Sequence, residues 1–353
     1  MMGTARYTFN QTVNYLNDQG TFANWMAIKK GIIDSLPEWS RETPYQVRSI
    51  AVKDACEAVK LAKRKFKKTG KFNKVHFKRR KDVRQSLFIT KAAISEKGIF
   101  VRVLGKMFYA EPLPKINHDC RLVYEYGKWF VSIPVDVEKQ IAKNKQNTVS
   151  IDPGVRTFLT CYTSDGVIEL GLKAWERTLK ICHSLDSIQS RMTKAKARRK
   201  QNMKRAFKRL QFRLDNIKAE LHWKCATFLA KNFDTIVIPN FNANEMSARQ
   251  QRKITSKTVR SMLSLGHSKF REILKMQCEK YGGNVLTTTE EYTSKTCPAC
   301  GGIHASLGGA KVYKCPHCGC KVPRDANGAR NILLRAMVDA PTLLKQCATV
   351  GFC

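Results

Sequence analysis

Two Cys-x-x-Cys knuckles limit the folds open to this chain. They are Cys297-Pro298-Ala299-Cys300 and Cys315-Pro316-His317-Cys318, and they frame residues 301–314. Pairs so spaced bring four thiolates into a tetrahedron, the geometry that Zn²⁺ accepts. Gly301 and Gly319 follow the two pairs, where tight knuckle turns favour glycine. His304, His317 and Cys320 lie close enough in sequence to substitute for a ligand, but four cysteines complete the shell without them. A closed four-sulfur shell leaves no open position, so one zinc is expected and its role is expected to be structural. The sequence holds 13 cysteines. An odd number in a large chain, with four of them in knuckles, points to a reducing compartment rather than a disulfide scaffold. The remaining cysteines read as small core residues or idle thiols. Cys225, for example, falls in a helical apolar stripe.

The charge narrows the partners. Lys and Arg total 64 against 28 Asp and Glu, a net charge of +36 over 353 residues. Such an excess repels itself in a compact state and calls for a polyanion. Nucleic acid is the expected partner. A membrane surface is not, because no long apolar span and no lipidation motif is present. The opening residues, Met1 to Arg6, lack the apolar run of a signal peptide. With 43% hydrophobic residues the chain is expected to fold, into two or three domains.

Two basic runs stand out. Between Lys60 and Lys81 the cations interleave with Phe66, Phe72, His76 and Phe77. Cations track phosphates and aromatic rings stack on bases, so Lys65, Lys68, Lys71, Lys78, Arg79 and Arg80 are candidate nucleic-acid contacts. Taken alone, such a run is a solvated helix face followed by a loop. The second run, 191–213, holds eleven Lys or Arg and no acid. It contributes Arg198, Arg199, Lys204 and Arg205.

Along the chain, residues 5–65 read as helical. Residues 86–135 read as a small β module, with strands near 87–90, 99–104 and 122–126 and a hairpin through Gly127-Lys128 into 129–135. The polar stretch 136–147 is expected to hold a domain boundary. From 148 the pattern changes to three strands (148–152, 157–162 and 167–170) and then a helical region from about 173 to 231. Its second half carries an apolar stripe at Leu210, Leu214, Ile217, Leu221, Cys225 and Phe228. A buried strand at 235–238, a helix around 269–281 closed by Gly282-Gly283, and a strand at 285–290 follow. Three antiparallel strands, then helix, strand, helix, strand, helix is the element order of an RNase H-like α/β fold.

Two acids occupy suggestive places. Asp152 ends the apolar strand Val149-Ser150-Ile151 and precedes Pro153-Gly154. By itself it reads as a turn-capping aspartate. Asp325 opens a helix in Arg324-Asp325-Ala326-Asn327-Gly328-Ala329-Arg330-Asn331-Ile332. By itself it reads as an acid that complements the helix dipole. Arg330 either orients phosphate or pairs with an acid, and Asn327 and Asn331 cap or pack.

Together with the knuckles, these segments resemble a known family. Ser150-Ile151-Asp152-Pro153-Gly154-Val155-Arg156 is similar to the first RuvC motif of TnpB-type transposon-encoded nucleases. The run from Tyr292 to Gly301 is similar to their zinc-ribbon entry, and 324–332 to their third RuvC motif. The resemblance is weak before about residue 145 and strong afterwards. It implies an RNA-guided DNA endonuclease, related to type V CRISPR effectors, in which three carboxylates hold two Mg²⁺ ions. In the bacterial pattern the second carboxylate is a Glu at the end of the fourth strand, but here Pro239 stands in its place. Pro cannot ligate a metal, so either another acid substitutes or the enzyme is inactive. Glu245 lies in a loop beyond that strand. Glu290 and Glu291 end the next strand, and their position resembles the relocated glutamate of the eukaryotic and viral Fanzor relatives. That pattern favours Glu290, and strand alternation allows only one of the two to face the site.

The expected site is therefore Asp152, Glu290 (with Glu291 as the alternative) and Asp325 for magnesium, and Cys297, Cys300, Cys315 and Cys318 for zinc. Arg330 joins the candidate nucleic-acid contacts. The expected partners are a guide RNA and double-stranded target DNA recognised beside a short adjacent motif. The expected state is a monomer, with no evidence on higher oligomers. Residues 1–143 are expected to form a barrel-like wedge module with a helical insertion. Residues 144–292 are expected to form the nuclease core, 293–321 the ribbon, 322–336 the last core helix and 337–353 a tail. The family opens with a strand that this chain lacks, so an incomplete β module is expected. The expected location is the nucleus for a eukaryotic or viral origin and the cytoplasm for a bacterial one. Rival readings are an inactive RNA-guided DNA-binding protein and a DNA transposase, although RNase H-fold transposases lack such a ribbon.

Overall fold

The computed structural model describes residues 1–18, 22–240, 256–289, 291–308 and 310–339. The chain divides into two compact units, Met1–Asp136 and Val137–Cys353. Among the described residues, no helix is long and apolar enough to cross a membrane.

The first unit begins with α1 (Met2–Asp18), α2 (Trp25–Asp34) and α3 (Tyr45–Thr69). The Asn24 side chain caps α2 by accepting from the Met26 N–H at 3.2 Å. The strands that follow are β1 (Arg84–Ile89), β2 (Ile94–Ser95), β3 (Gly98–Ile99), β4 (Cys120–Glu125) and β5 (Lys128–Ser132), with a single helical turn α4 (Val101–Leu104) after β3. β1, β4 and β5 make a three-stranded antiparallel sheet, and β2 and β3 a two-stranded hairpin. The described strands thus form an open sheet and a hairpin where a barrel-like module was expected. The expected strand over 99–104 is also revised. Its β-branched residues suggested extended chain, but Phe100 takes a left-handed φ of 46° and turns 101–104 into helix. Ala5, Val47 and Ala51 from the helices pack on Leu87, Ile89 and Leu122 of the sheet. A two-pronged Arg121–Asp54 pair, at 2.8 and 3.0 Å, ties β4 to α3.

The second unit contains β6 (Gln146–Pro153), β7 (Thr157–Thr163), β8 (Gly166–Leu172), α5 (Ala174–Lys194), α6 (Ala197–Asn232) and β9 (Phe233–Pro239). After these come α7 (Ser256–Leu265), α8 (His267–Tyr281), β10 (Asn284–Thr288), the ribbon strands β11 (Val312–Lys314) and β12 (Lys321–Pro323), and α9 (Arg324–Asp339). Five strands make one mixed sheet in the order β10-β9-β6-β7-β8. β6, β7 and β8 run antiparallel, while β9 pairs parallel with β6 and β10 parallel with β9. Period-two alternation gives the sheet two apolar faces. Val149, Ile151, Ile236 and Ile238 pack against Cys225, Leu229, Phe270 and Leu274 of α6 and α8. Val237, with Tyr162 and Leu286, packs against Ile332, Leu333, Ala336 and Met337 of α9. Each large side chain buried in this way contributes roughly 1.5–3 kcal/mol.

Two further expectations are revised here. The helical region 173–231 is two helices, broken where Ala195 turns to extended backbone (ψ 139°). Phe228, placed on the apolar stripe, is 39% exposed, whereas Leu214 and Cys225 on the same stripe are buried. Gly282 ends α8 as expected, with a left-handed φ of 73°.

Candidate functional site

The four knuckle cysteines come together. Their sulfur atoms all lie within 4.8 Å of one another, with Cys297–Cys318 and Cys300–Cys315 both at 3.6 Å. Zn–S bonds of about 2.3 Å in a tetrahedron place sulfurs about 3.8 Å apart, so the donor set fits one zinc ion in element and in spacing. The backbone prepares the site. The Ala299 N–H points at Cys297 Sγ (3.4 Å), and those of His317 and Cys318 at Cys315 Sγ (3.4 and 3.5 Å). Those amides, the Cys318 N–H foremost, bring the Cys315 thiol down to about 6 and so favour the thiolate that a metal needs. Gly301 and Gly319 take φ of 70° and 71°, as the knuckle turns require. Tyr313 fills the ribbon's small core and donates its hydroxyl to the Lys295 carbonyl at 3.1 Å.

The carboxylates come from opposite ends of the second unit. Asp152 lies in register with Thr160 of β7, on the sheet face that α9 covers. The Ser150 hydroxyl, on the same face, donates to the Ala329 carbonyl of α9 at 2.7 Å. The Asp152 carboxylate therefore lies against the helix. A Cβ added to Gly328 would stand 2.6 Å from Asp152 Oδ2. Gly328 is one turn beyond Asp325, so the two aspartates share one face of α9. Both are partly exposed. Hard oxygen donors of this kind suit magnesium.

Pro239 sits where the family's glutamate would stand. It is buried and pairs with Thr288 of β10, while Val237, two residues earlier, pairs with Ser150. Pro239 is thus on the row beside Asp152. Glu290 and Glu245 lie outside the described residues. Glu291 is described, is exposed, and stands in the turn that leads to the ribbon.

Beneath the Asp152 turn, the Phe158 ring is stacked between two imidazoles. His222 lies at 5.4 Å and His267 at 5.0 Å, both within 17° of parallel. The ring nitrogen Nε2 of His222 is 2.7 Å from the Leu265 carbonyl. Burial pushes the pKa of His267 down to about 4, so the ring is neutral at pH 7.

Asn327 and Asn331 do more than cap or pack. Asn331 Nδ2 donates to the carbonyls of Thr293 (2.8 Å) and Thr296 (2.9 Å), and Asn327 Nδ2 to that of Thr296 (2.9 Å). Arg324 Nη1 donates to the Gly308 carbonyl at 2.9 Å. The i, i+4 spacing of the two asparagines was a visible signal for a shared face, but their partners were not.

The basic candidates separate into two groups. Lys65, Lys68, Lys71, Arg79, Arg80, Arg198, Arg199, Lys204 and Arg205 are exposed. The aromatics among the first set, Phe66, Phe72 and Phe77, are exposed too, with Phe66 and Phe72 edge-to-face at 6.4 Å. Lys78 differs. Its ammonium stands 3.8 Å from the centre of the Phe9 ring, and burial lowers its pKa. Arg330 is partly buried on α9.

The family model "Cas12f1-like, TNB domain" matches residues 267–332, and "Probable transposase" (OrfB_IS605) matches 132–262. The chain is thus similar to TnpB-type proteins over both segments. A "TnpB-like protein" of Acanthamoeba polyphaga mimivirus is 29% identical over 71% of this chain and 49% of its own length. This chain thus spans about half of that relative. "Putative RNA-guided DNA endonuclease InsQ" of Escherichia coli (strain K12) is 26% identical over 94% of this chain and 86% of its own length. Among solved structures, a Cas12f1–sgRNA–target DNA complex matches with a TM-score of 0.55 at 13% identity, covering 94% of this chain and 80% of that one. That likeness is one of fold.

Proposed function

We propose that this chain is an RNA-guided DNA endonuclease whose second unit is a RuvC-like core of RNase H fold. One observation carries the reading: the Asp152 carboxylate lies against Gly328, one turn along α9 from Asp325. Two acids from distant segments meet over one helix face in a chain of net charge +36. The strand order β10-β9-β6-β7-β8, with three antiparallel strands and two parallel ones, is that of an RNase H-like sheet. Relatives named as RNA-guided DNA endonucleases support the same activity.

Glu290 is the third acid in this reading. Thr288 lies on the α9 face, where its hydroxyl donates to Asp339 Oδ2 at 2.9 Å. Position 290 follows Thr288 by two and stands three residues before the Thr293-Ser294-Lys295 run. This is the Fanzor-like placement, and it replaces the glutamate lost at Pro239. Asp152, Glu290 and Asp325 would hold two magnesium ions, which when bound stabilise charge on the attacking and leaving oxygens of a phosphodiester. The protein's own part is to fix the carboxylates and to hold the strand. Exposed cations of α3 and α6 neutralise phosphates, and the heteroduplex of guide RNA and target DNA is gripped through its backbone. The first unit, with its aromatics at 66, 72 and 77, would hold the RNA scaffold and the duplex beside the target. The place of action would be the nucleus for a eukaryotic or viral origin and the cytoplasm for a bacterial one.

Asp152→Ala tests the reading. Cleavage of guide-programmed DNA by the purified complex should fall about 10³-fold or more, with guide binding retained. Wild-type cutting by the variant would refute it. Pro239 supports a second reading, an inactive RNA-guided binder, and magnesium-dependent cleavage by the wild-type complex would eliminate that one.

A further inference from the structure

We infer that Asn327 and Asn331 are positioning residues of the nuclease site. They clamp the ribbon's entry turn, which follows the acids at 290–291 in sequence, onto α9 and thereby hold that turn in register with Asp325. The inference rests on the nuclease reading above and adds a role for residues outside its acid set.

The entry turn is tight. Tyr292 takes a left-handed φ of 61°, and its carbonyl accepts from the N–H groups of Lys295 (2.9 Å) and Thr296 (3.0 Å). The carbonyls of Thr293 and Thr296 then need donors from elsewhere, because an unpaired buried carbonyl is costly. The amide nitrogens of Asn327 and Asn331 supply them, and Asn331 Nδ2 also reaches Asn327 Oδ1 at 3.2 Å. Both side chains are buried, at 3% and 6% exposure. An amide suits the task better than a lysine or a serine, because it offers two donors in a plane and carries no charge to bury.

The clamp's position gives it a consequence beyond packing. Thr293 follows the acids by two or three residues, Thr296 directly precedes the zinc knuckle at Cys297, and Asn327 follows Asp325 by two. One pair of side chains thus ties together the turn that follows the acids in sequence, the helix that carries Asp325 and the ribbon. The far side of the ribbon is tied to the same helix start, through the Arg324 N–H to the Lys311 carbonyl (2.9 Å) and Arg324 Nη1 to the Gly308 carbonyl. Without the asparagine amides, α9 is free to slide against the entry turn, and the acids separate while the zinc knuckles stay closed.

The test uses Asn331→Leu, which keeps the volume and removes the donors, and the milder Asn327→Leu in case the first does not fold. Zinc content, Mn²⁺ binding by electron paramagnetic resonance, and the magnesium dependence of guide-programmed cleavage are measured on the whole RNA-bound protein. One zinc per chain should remain, while Mn²⁺ affinity falls and half-saturating magnesium rises, each by about 10–100-fold. Unchanged Mn²⁺ affinity in both variants would overturn the inference, as would a loss of activity that merely follows loss of zinc. Asp325→Asn is the control. If it too leaves Mn²⁺ bound and DNA cut, the nuclease reading itself falls. If only the asparagine variants do so, the clamp alone is wrong.

Discussion

The four-cysteine ribbon and the proposed carboxylate site lie in one unit, yet they are built in opposite ways. The ribbon draws every ligand from residues 297–318, and its own amides aim at its sulfurs. The proposed carboxylate site draws its acids from positions 152 and 325, and the central strand of the sheet and a helix bring them together. A local site carries its geometry in its own backbone, whereas a distributed site inherits its geometry from the core. The ribbon should therefore fail alone, and the carboxylate site should fail with whatever disturbs β6, β10 or α9.

Removing one sulfur is the strongest way to break that contrast. Structural zinc is worth about 10 kcal/mol or more to small ribbon folds, which exceeds what the ribbon's few buried residues supply. Cys315→Ser should abolish zinc binding and melt 296–323, while the five-stranded sheet persists, because its core contains no ribbon residue. Zinc analysis with hydrogen exchange would check both halves. Loss of protection across β6 and β9 together with the ribbon would show that the two sites are not built independently.

The next test concerns which acid completes the carboxylate site. Glu290→Gln should lower guide-programmed cleavage about 10³-fold. Glu291→Gln, at an exposed turn position, should leave it within about a factor of two. The opposite result would make Glu291 the third acid.

The same contrast explains what could be read from the residues alone. The cysteine knuckles were legible because the whole motif is local. The place of Asp152 at the end of an apolar strand was legible from the Pro-Gly that follows it, but its reading as a metal ligand, like that of Pro239 as a departure, came only from the resemblance to TnpB-type nucleases. The asparagine clamp was not, because its partners lie 31–38 residues away and are backbone carbonyls, which leave no trace in side-chain identity. Lys78 looked like any other cation of its run, and only the fold brings Phe9 beneath it. The break at Ala195 carries no Gly or Pro, and the run 101–104 carries β-branched residues without a neighbouring strand to pair with.

The smallest expected effect separates the two sites by acid. His267 is buried, with its ring stacked against Phe158. Burial holds its pKa at about 4, with the neighbouring His222 as the next cause. His222 is lowered too, chiefly by burial, with Lys218 and Lys269 opposing its charge. An unfolded histidine titrates near 6.5, so the folded state binds fewer protons below that value. Stability from the neutral ring is complete above about pH 6.5 and is lost as pH falls from there towards 4. The loss between pH 7 and pH 5 comes to about 2 kcal/mol. His267→Phe keeps an aromatic in the stack and removes the titration, so its stability should depend less on pH by that amount. Acid also protonates the ribbon's thiolates and releases zinc. The comparison therefore belongs on hydrogen exchange in β6 and β7, whose apolar core shares no residue with the ribbon's. Equal pH slopes in the two proteins would mean that the carboxylate site does not rest on a neutral His267.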